Sequence, residues 1–516
     1  MGKVAAADVA VCSQATSCLH KAQAFDARRN FTLAYRAINP FTSFNRAMDD
    51  NGPLLLPPDT PILGSFSWHE LYHLYQQSSP NGTLRGVMQQ PVKQLEQSDV
   101  MVIKVLFARA RISYKECDPE KMHDDDDGEG DKGCDARHVG GDDELSEEQF
   151  LIKYVNVPAQ QQRITKTEEK WAISVQSFQN EANFYHHCST TAESERLAAA
   201  AVHLPGCQYK GVTYDDVGKL QSSTLLLDYF PPPQYVQHHQ LTFAQAEVAL
   251  SALARFHGCY WKGGENQKTP GIIKDLFNHG GWWRPELRPS VKYDTIAESF
   301  ASLCRNFPRE FKLPDTPENH ALMRGFQARV PEELSEKVRA KGPRTLIHGD
   351  CKTSNLFFSL QNASENEKGS SSNGRGGEGA REQQQLRCSL IDFQWTGAAS
   401  SGMADVAYLL WSGVDVEGVR REAELLDVYY HALHAALPAA ADDAAQIYTR
   451  EEMESDYALE FLAFFASALP QLLNGMDFDY CEKWRGSYGW LTCETIPEVT
   501  EAFVGKALKL LREIKW

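Results

Sequence analysis

What the sequence lacks narrows it before any motif is read. Its 12 cysteines form no Cys-x-x-Cys pair and no His/Cys cluster at metal-ligand spacing; the nearest two are Cys12 and Cys18. In a chain of 516 residues that usage reads as reduced thiols, not a disulfide framework, and it points to the cytoplasm. The opening Met-Gly-Lys-Val-Ala-Ala has no apolar h-region, so no secretory signal is expected. Gly2 invites N-myristoylation, but Ala6 stands where Ser or Thr is required. The most apolar long run, Tyr457 to Leu473, holds Glu460 and Pro470 and is too short to span a bilayer, so no integral membrane segment is expected. Basic charge is also scarce: 52 Lys and Arg face 69 Asp and Glu, a formal net charge of -17. Between Glu116 and Glu148 there are 15 acidic residues and 3 basic ones, which puts -12 in that stretch and leaves -5 elsewhere. The body is then only mildly acidic, and neither nucleic acid nor an anionic membrane is an expected partner. No internal repeat is evident.

What is present is a chain that can fold around a sizeable core, with 42% hydrophobic and 10% aromatic residues. Its length suits two or three domains, or one large two-lobed enzyme with insertions. The most informative stretches are Leu346–Phe358, LIHGDCKTSNLFF, and Ser389–Leu410, SLIDFQWTGAASSGMADVAYLL. Leu346 and Ile347 read as a buried strand that stops at His348-Gly349-Asp350. Asn355 closes the polar loop, and Leu356-Phe357-Phe358 begins a new strand. Farther on, Leu390 and Ile391 lead into a second carboxylate, Asp392. Two carboxylates and a carboxamide at strand ends suit phosphoryl transfer, which needs a group to orient the attacking hydroxyl and hard oxygen ligands for magnesium. Asp and Asn are also simply good turn formers. Both motifs in order, each on an apolar strand, favour the chemical reading.

The pattern His-x-Asp-x-x-x-x-Asn followed by Ile-Asp-Phe resembles the catalytic and metal loops of the protein-kinase-like fold. It is most similar to the small-molecule branch: aminoglycoside phosphotransferases, choline kinases and the ecdysteroid-kinase-like group. Gly349 and Gln394 replace the arginine of His-Arg-Asp and the glycine of Asp-Phe-Gly, as is common in that branch. The resemblance implies that Asp350 is the catalytic base, that Asn355 and Asp392 hold Mg2+, and that His348 and Asp405 support the catalytic loop. It also implies an α+β, two-lobed fold with an antiparallel-sheet N-lobe and a mainly helical C-lobe.

The rest of the chain can be fitted to that frame. Residues 1–65 read as an N-terminal extension, and Ser67-Trp68-His69-Glu70 as a capping box before a short helix. The N-lobe is expected over 66–228, interrupted by the solvated acidic insertion 116–148, which lacks the register of an EF-hand loop. Val100 to Tyr114 reads as a strand or strand pair, and Glu96-Gln97-Ser98-Asp99 stands where, by the resemblance, a glycine-rich turn would cover the phosphates. In Phe150–Val155, alternation puts Lys153 on the face of Leu151 and Val155, which is costly for a charge without a partner. Phe178, Glu181, Ala182 and Tyr185 share one face of the next helix. Lys153 and Glu181 match the ion pair that orients nucleotide phosphates in this fold; Lys104 is the rival lysine. The run Thr224–Phe230 reads as a strand leaving the lobe. By resemblance, the backbone of Asp228, Tyr229 and Phe230 would bind adenine.

The helical C-lobe is expected over 229–516. Thr242 and Gln245 cap a helix whose inner stripe is Ala246, Ala249, Leu250, Leu253, Ala254 and His257. Its end is similar to the Leu-Ala-x-x-His-x-x-x-Trp helix of the ecdysteroid-kinase-like group, with His257 read as a satisfied core histidine. Residues 361–387 read as a low-complexity insertion, and helices are expected near 282–340, 425–437, 457–465 and 503–514. Trp282, Trp283 and Trp395 read as core residues, with an aromatic cage for a quaternary ammonium as the alternative. The resulting expectation is an ATP- and Mg2+-dependent phosphotransferase acting on a small-molecule hydroxyl. A protein kinase is disfavoured because no Ala-Pro-Glu follows Asp392. A catalytically silent nucleotide-binding scaffold is the alternative from another class.

Overall fold

Aliphatic strands buried on both faces need a partner on each edge, and the first half of the chain supplies them. The computed structural model describes residues 61–63, 66–67, 82–89, 93–94, 99–109, 144–163, 167–261, 274–284, 287, 291–308, 315–362, 384–437, 448–484 and 498–513. Strands β1 (Gly82–Gln89), β2 (Asp99–Arg109), β3 (Glu144–Asn156), β4 (Cys207–Tyr214) and β5 (Leu220–Asp228) form an antiparallel sheet in the order β1-β2-β3-β5-β4. Lys93–Gln94 adds a short sixth strand against β2. The expected helix after Ser67 lies outside the described residues, as do residues 1–60 and the turn at 95–98. Phe66–Ser67 itself pairs with Pro61–Leu63.

The register corrects one boundary. β3 starts at Glu144, and Arg109 of β2 pairs with Glu144 while Lys104 pairs with Gln149. The last residues of the acidic tract are therefore sheet. Ladder pairing asks only for extended backbone, so a boundary drawn from charge composition came too late. The same holds at the second interruption. β8 (Leu356–Asn362) and β9 (Gln384–Leu390) pair all the way from Leu356↔Leu390 to Asn362↔Gln384, so 361–362 and 384–387 belong to a hairpin.

Helix α1 (Glu168–Cys188) packs on the sheet. Thr167 caps it by accepting the Lys170 N–H, and Trp171 and Phe178 meet Val155, Val157 and Leu220 in a small core. α2 (Thr191–Ala199) follows. The chain leaves the sheet at Asp228, and β6 (Tyr235–Val236) pairs with β8. α3 (Phe243–Cys259) carries the capping box of Thr242 and Gln245. Its expected stripe, from Ala246 to His257, is fully buried. Leu250 and Leu253 each contribute roughly 1.5–3 kcal/mol by that burial.

The second half is mainly helical: α4 (Ile296–Asn306), α5 (Pro317–Arg329), α6 (Met403–Gly413), α7 (Glu422–Ala436), α8 (Arg450–Ala468) and α9 (Glu498–Glu513). The architecture is the expected α+β arrangement, an antiparallel sheet followed by a helical half. Every residue of α6 is buried, as an all-round apolar helix must be. Strand β7 (Thr345–Ile347) pairs with β10 (Gly397–Ala399). These two short strands and the β8–β9 hairpin carry the loops of the candidate site. No helix among the described residues is long and apolar enough to cross a membrane.

Candidate functional site

Two strand pairs bring the separate motifs together. β7 ends at Ile347, immediately before His348-Gly349-Asp350, and its partner β10 begins just after Trp395-Thr396. Leu356 pairs with Leu390, and the Ile391 N–H donates to the Asn355 carbonyl at 3.1 Å. The ends of β7, β8 and β9 therefore carry Asp350, Asn355 and Asp392 into one region of the fold.

The lysine expected to pair does so. Lys153 Nζ donates to Glu181 at 2.7 and 3.0 Å and to Asp392 Oδ1 at 3.1 Å. Lys153 and Glu181 are 4% and 3% exposed, so this is a buried triad. Burial pulls the ammonium pKa down, but the Asp392 and Glu181 carboxylates outweigh it and hold the pKa above its ordinary value. Lys104, the rival, lies on β2 opposite Met88 and Gln149.

Asp350 is held on both oxygens. Tyr408 OH donates to Oδ1 at 3.1 Å and Lys352 Nζ to Oδ2 at 2.6 Å, with Asn355 Nδ2 at 3.4 Å from the same Oδ2. Each carboxylate oxygen has two lone pairs, so acceptor capacity remains. Asn355 Nδ2 also donates to the Asp350 carbonyl at 2.8 Å, while Asn355 Oδ1 is buried without a hydrogen-bond partner. A buried bare carbonyl oxygen is costly unless something binds it. Asp392, which follows the Ile391 that donates to the Asn355 carbonyl, has φ +67°, a left-handed conformation that costs a non-glycine residue about 1–3 kcal/mol. A hard-oxygen pair of one amide and one carboxylate, one of them unsatisfied, fits Mg2+.

The supports are backbone-directed. Asp405, on the first turn of α6, accepts the His348 N–H at 2.6 Å and the Gly349 N–H at 2.9 Å. Its Oδ2 also meets His257 Nε2 at 3.1 Å, and His257 Nδ1 meets Tyr429 OH at 2.8 Å. His348 Nε2 lies 2.8 Å from the Ile391 carbonyl, and its Nδ1 accepts the Asp350 N–H at 3.2 Å; those partners fix the Nε2–H tautomer. Gly349 has φ +80°, and a Cβ there would lie 1.9 Å from the Trp395 carbonyl oxygen, so only glycine fits before Asp350.

The strand end at 228–230 is only partly available to a ligand. The Asp228 N–H already donates to the Gly206 carbonyl at 2.9 Å, and its carboxylate accepts from Gly206 N and Gln208 Nε2. The Asp228 N–H therefore cannot also serve adenine. Tyr229 is buried, while Phe230 stacks on Tyr235 and clusters with Phe357 and Ile391, the residue before Asp392. Trp282 and Trp283 are buried against Tyr408, and Trp395 stacks on Phe277, so packing occupies these rings.

Sequence reasoning missed Lys352, Tyr408, Gln394 and Asn180. Tyr408 could have been found three residues after Asp405, on the same face of α6. Gln394 bonds Glu181, a contact across the fold that no local pattern marks. A small pocket lies elsewhere, lined by Trp283, Arg284, Val330, Leu334 and Ala398 among others. None of the residues grouped around Asp350 and Lys153 lines it, so chemistry rather than volume marks the candidate site.

Residues 141–369 match the ecdysteroid kinase-like family. That ecdysteroid kinase-like segment contains Lys153, Glu181, His348, Asp350 and Asn355, whereas Asp392 and Asp405 lie beyond it. No curated protein sequence matches the chain. Among solved structures the chain is similar to a Plasmodium vivax ethanolamine kinase at 12% identity, over 83% of this chain and 84% of that one, with a TM-score of 0.31. A superposition that loose carries no inference about this chain.

Proposed function

We propose that this protein is an ATP- and Mg2+-dependent kinase that phosphorylates a hydroxyl group of a small molecule. The observation that carries the reading is the grouping of Lys153, bonded to both Glu181 and Asp392, with an Asn355 carboxamide that reaches Asp350 and keeps a bare Oδ1. The domains follow the same reading: an N-lobe over 66–228 and a C-lobe over 229–516. The cysteine usage favours the cytoplasm.

In this reading Lys153 holds the nucleotide phosphates, and Glu181 fixes its ammonium. Tyr229 and Phe230 line the adenine end, with Phe230, Phe357 and Ile391 as its apolar floor. Asn355 and Asp392 hold Mg2+, which when bound neutralises phosphate charge. Asp350 accepts the hydrogen bond of the acceptor hydroxyl, aligns its oxygen and takes its proton as the oxygen–phosphorus bond forms and the bond to the ADP oxygen breaks. Lys352 screens the Asp350 charge from the incoming phosphate, and Tyr408 keeps that carboxylate oriented. His348 and Asp405 hold the loop backbone.

The test is a Mg2+-ATP assay over amino-alcohols, sterols and aminoglycosides, with thermal shift in parallel. ADP release dependent on one acceptor class supports the reading. Nucleotide binding without turnover on any acceptor would favour a silent scaffold, and absence of nucleotide binding would overturn both.

A further inference from the structure

Asn180 precedes Glu181 on α1 and is itself buried, yet it does not face the ion pair. Its Nδ2 lies 2.9 Å from the Thr396 carbonyl, 3.2 Å from that of Gln394 and 3.4 Å from that of Phe393. Its Oδ1 accepts the Phe277 N–H at 2.8 Å. One carboxamide thus ties α1 to the loop that follows Asp392 and to the segment behind that loop. The loop is also held from outside the helix, by His348 on the Ile391 carbonyl, the Gly281 N–H on the Trp395 carbonyl and the Thr396 hydroxyl on the Ile347 carbonyl. From α1 itself, Glu181 meets the Gln394 side chain and Phe184 stacks on Phe393 at 3.9 Å. Those two helix contacts reach side chains, whereas Asn180 grips the backbone carbonyls of the loop.

We propose that Asn180 is the positioning residue through which α1 sets the conformation of the Asp392 loop, so that the Lys153–Glu181 pair and Asp392 are formed or lost together. The geometry requires a carboxamide. A carboxylate could still accept from Phe277 N–H but would turn an acceptor toward three carbonyl oxygens. A left-handed residue such as Asp392 persists only when its surroundings over-determine it, and Asn180 supplies part of that constraint. An outward movement of α1 would break the grip on 393–396 and the Lys153 contacts at once. The metal role of Asp392 rests on the proposed function; the mechanical coupling does not.

The primary test is hydrogen exchange on the ligand-free full chain. In Asn180→Asp, amides of 391–398 should exchange about tenfold faster, the effect of losing one or two net hydrogen bonds. Asn183 is the control: one turn along, its Nδ2 donates to the Asp275 carbonyl at 2.9 Å without touching the loop. Asn183→Ala should leave 391–398 unchanged. In the unaltered protein, amides of 177–185 and 391–398 should share one opening free energy as denaturant is added, a measurement that needs no variant to fold. Unchanged loop exchange in Asn180→Asp, an equal effect from Asn183→Ala, or separate openings of helix and loop overturns the proposal. A Mg2+ titration of the ADP-induced thermal shift adds a second readout, in which Asn180→Asp raises the half-saturating Mg2+ and Asn183→Ala does not. If the parent protein shows no such shift, the proposed function fails while the exchange result still decides the role of Asn180.

Discussion

Asp350 and Asp392 are both carboxylates just beyond the end of a strand, yet their surroundings differ. Asp392 is strained at φ +67° and meets the Lys153 ammonium, whereas Asp350 lies between a phenol and an ammonium. Asp392→Ala should therefore abolish the Mg2+-dependent part of nucleotide stabilisation in a thermal-shift titration, because a hard cation loses an oxygen ligand. Asp350→Asn should leave that shift nearly intact while turnover falls roughly 10²–10⁴-fold, the range for removing a general base. Equal loss of binding in both variants would contradict the division of roles. Gly349 makes a second, purely steric prediction. With a Cβ placed 1.9 Å from the Trp395 carbonyl oxygen, Gly349→Ala must move backbone, and it should reduce both Tm and kcat. If the alanine variant matches the parent in both, the close approach is not what the loop depends on.

At the scale of elements, α1 and β3 act as one unit through the Lys153–Glu181 contact. Lys153 serves two carboxylates, so removing it leaves Glu181 and Asp392 facing each other with little water. Breaking a fully buried pair costs about 3–5 kcal/mol, and Lys153→Met should approach that cost in chemical denaturation. Glu181→Gln should cost less, because Asp392 still balances the lysine. The double variant should recover at least about 1 kcal/mol relative to the sum of the singles. Additive losses would mean that the two residues do not form one unit. This pair was legible in the sequence because two periodicities, that of a strand and that of a helix, each turned a charge inward. Asp405 and Asn355 were legible as members of motifs with fixed spacing. Asn180 and Gln394 were not: the carbonyls that Asn180 grips lie more than 200 residues away in the chain, and only folding sets that distance. The hinge was half legible. Its strand was plain from its aliphatic run, but nothing local indicated that the Asp228 N–H is already taken by Gly206.

Across the whole molecule, two long interruptions separate elements that must meet. Composition located both but misjudged their edges, because charge and low complexity continue into residues whose backbone is paired. The ladder gives the proper limits. Arg109 stands opposite Glu144, and Asn362 opposite Gln384, so in each hairpin the two chain ends are already neighbours. Paired residues in antiparallel strands have Cα atoms about 4.5–5.5 Å apart, a gap that a few residues can bridge. Replacing 112–141 or 365–381 with a short Gly/Ser linker should keep the protein folded and its nucleotide binding unchanged. Shorter loops lower the entropy of closure only slowly with length, so Tm should stay level or rise a little. Cutting three residues further into the sheet, from 112 to 146, is the contrasting case. It removes Glu144, Leu145 and Ser146 from β3 and leaves Arg109, Ala108 and Phe107 of β2 without partners on that edge. That variant should lose Tm relative to the 112–141 deletion in the same melting experiment. Identical melting of the two deletions would show that the outer turns of the β2–β3 ladder contribute nothing, and loss of soluble protein on the shorter deletion would show that 112–141 is structural.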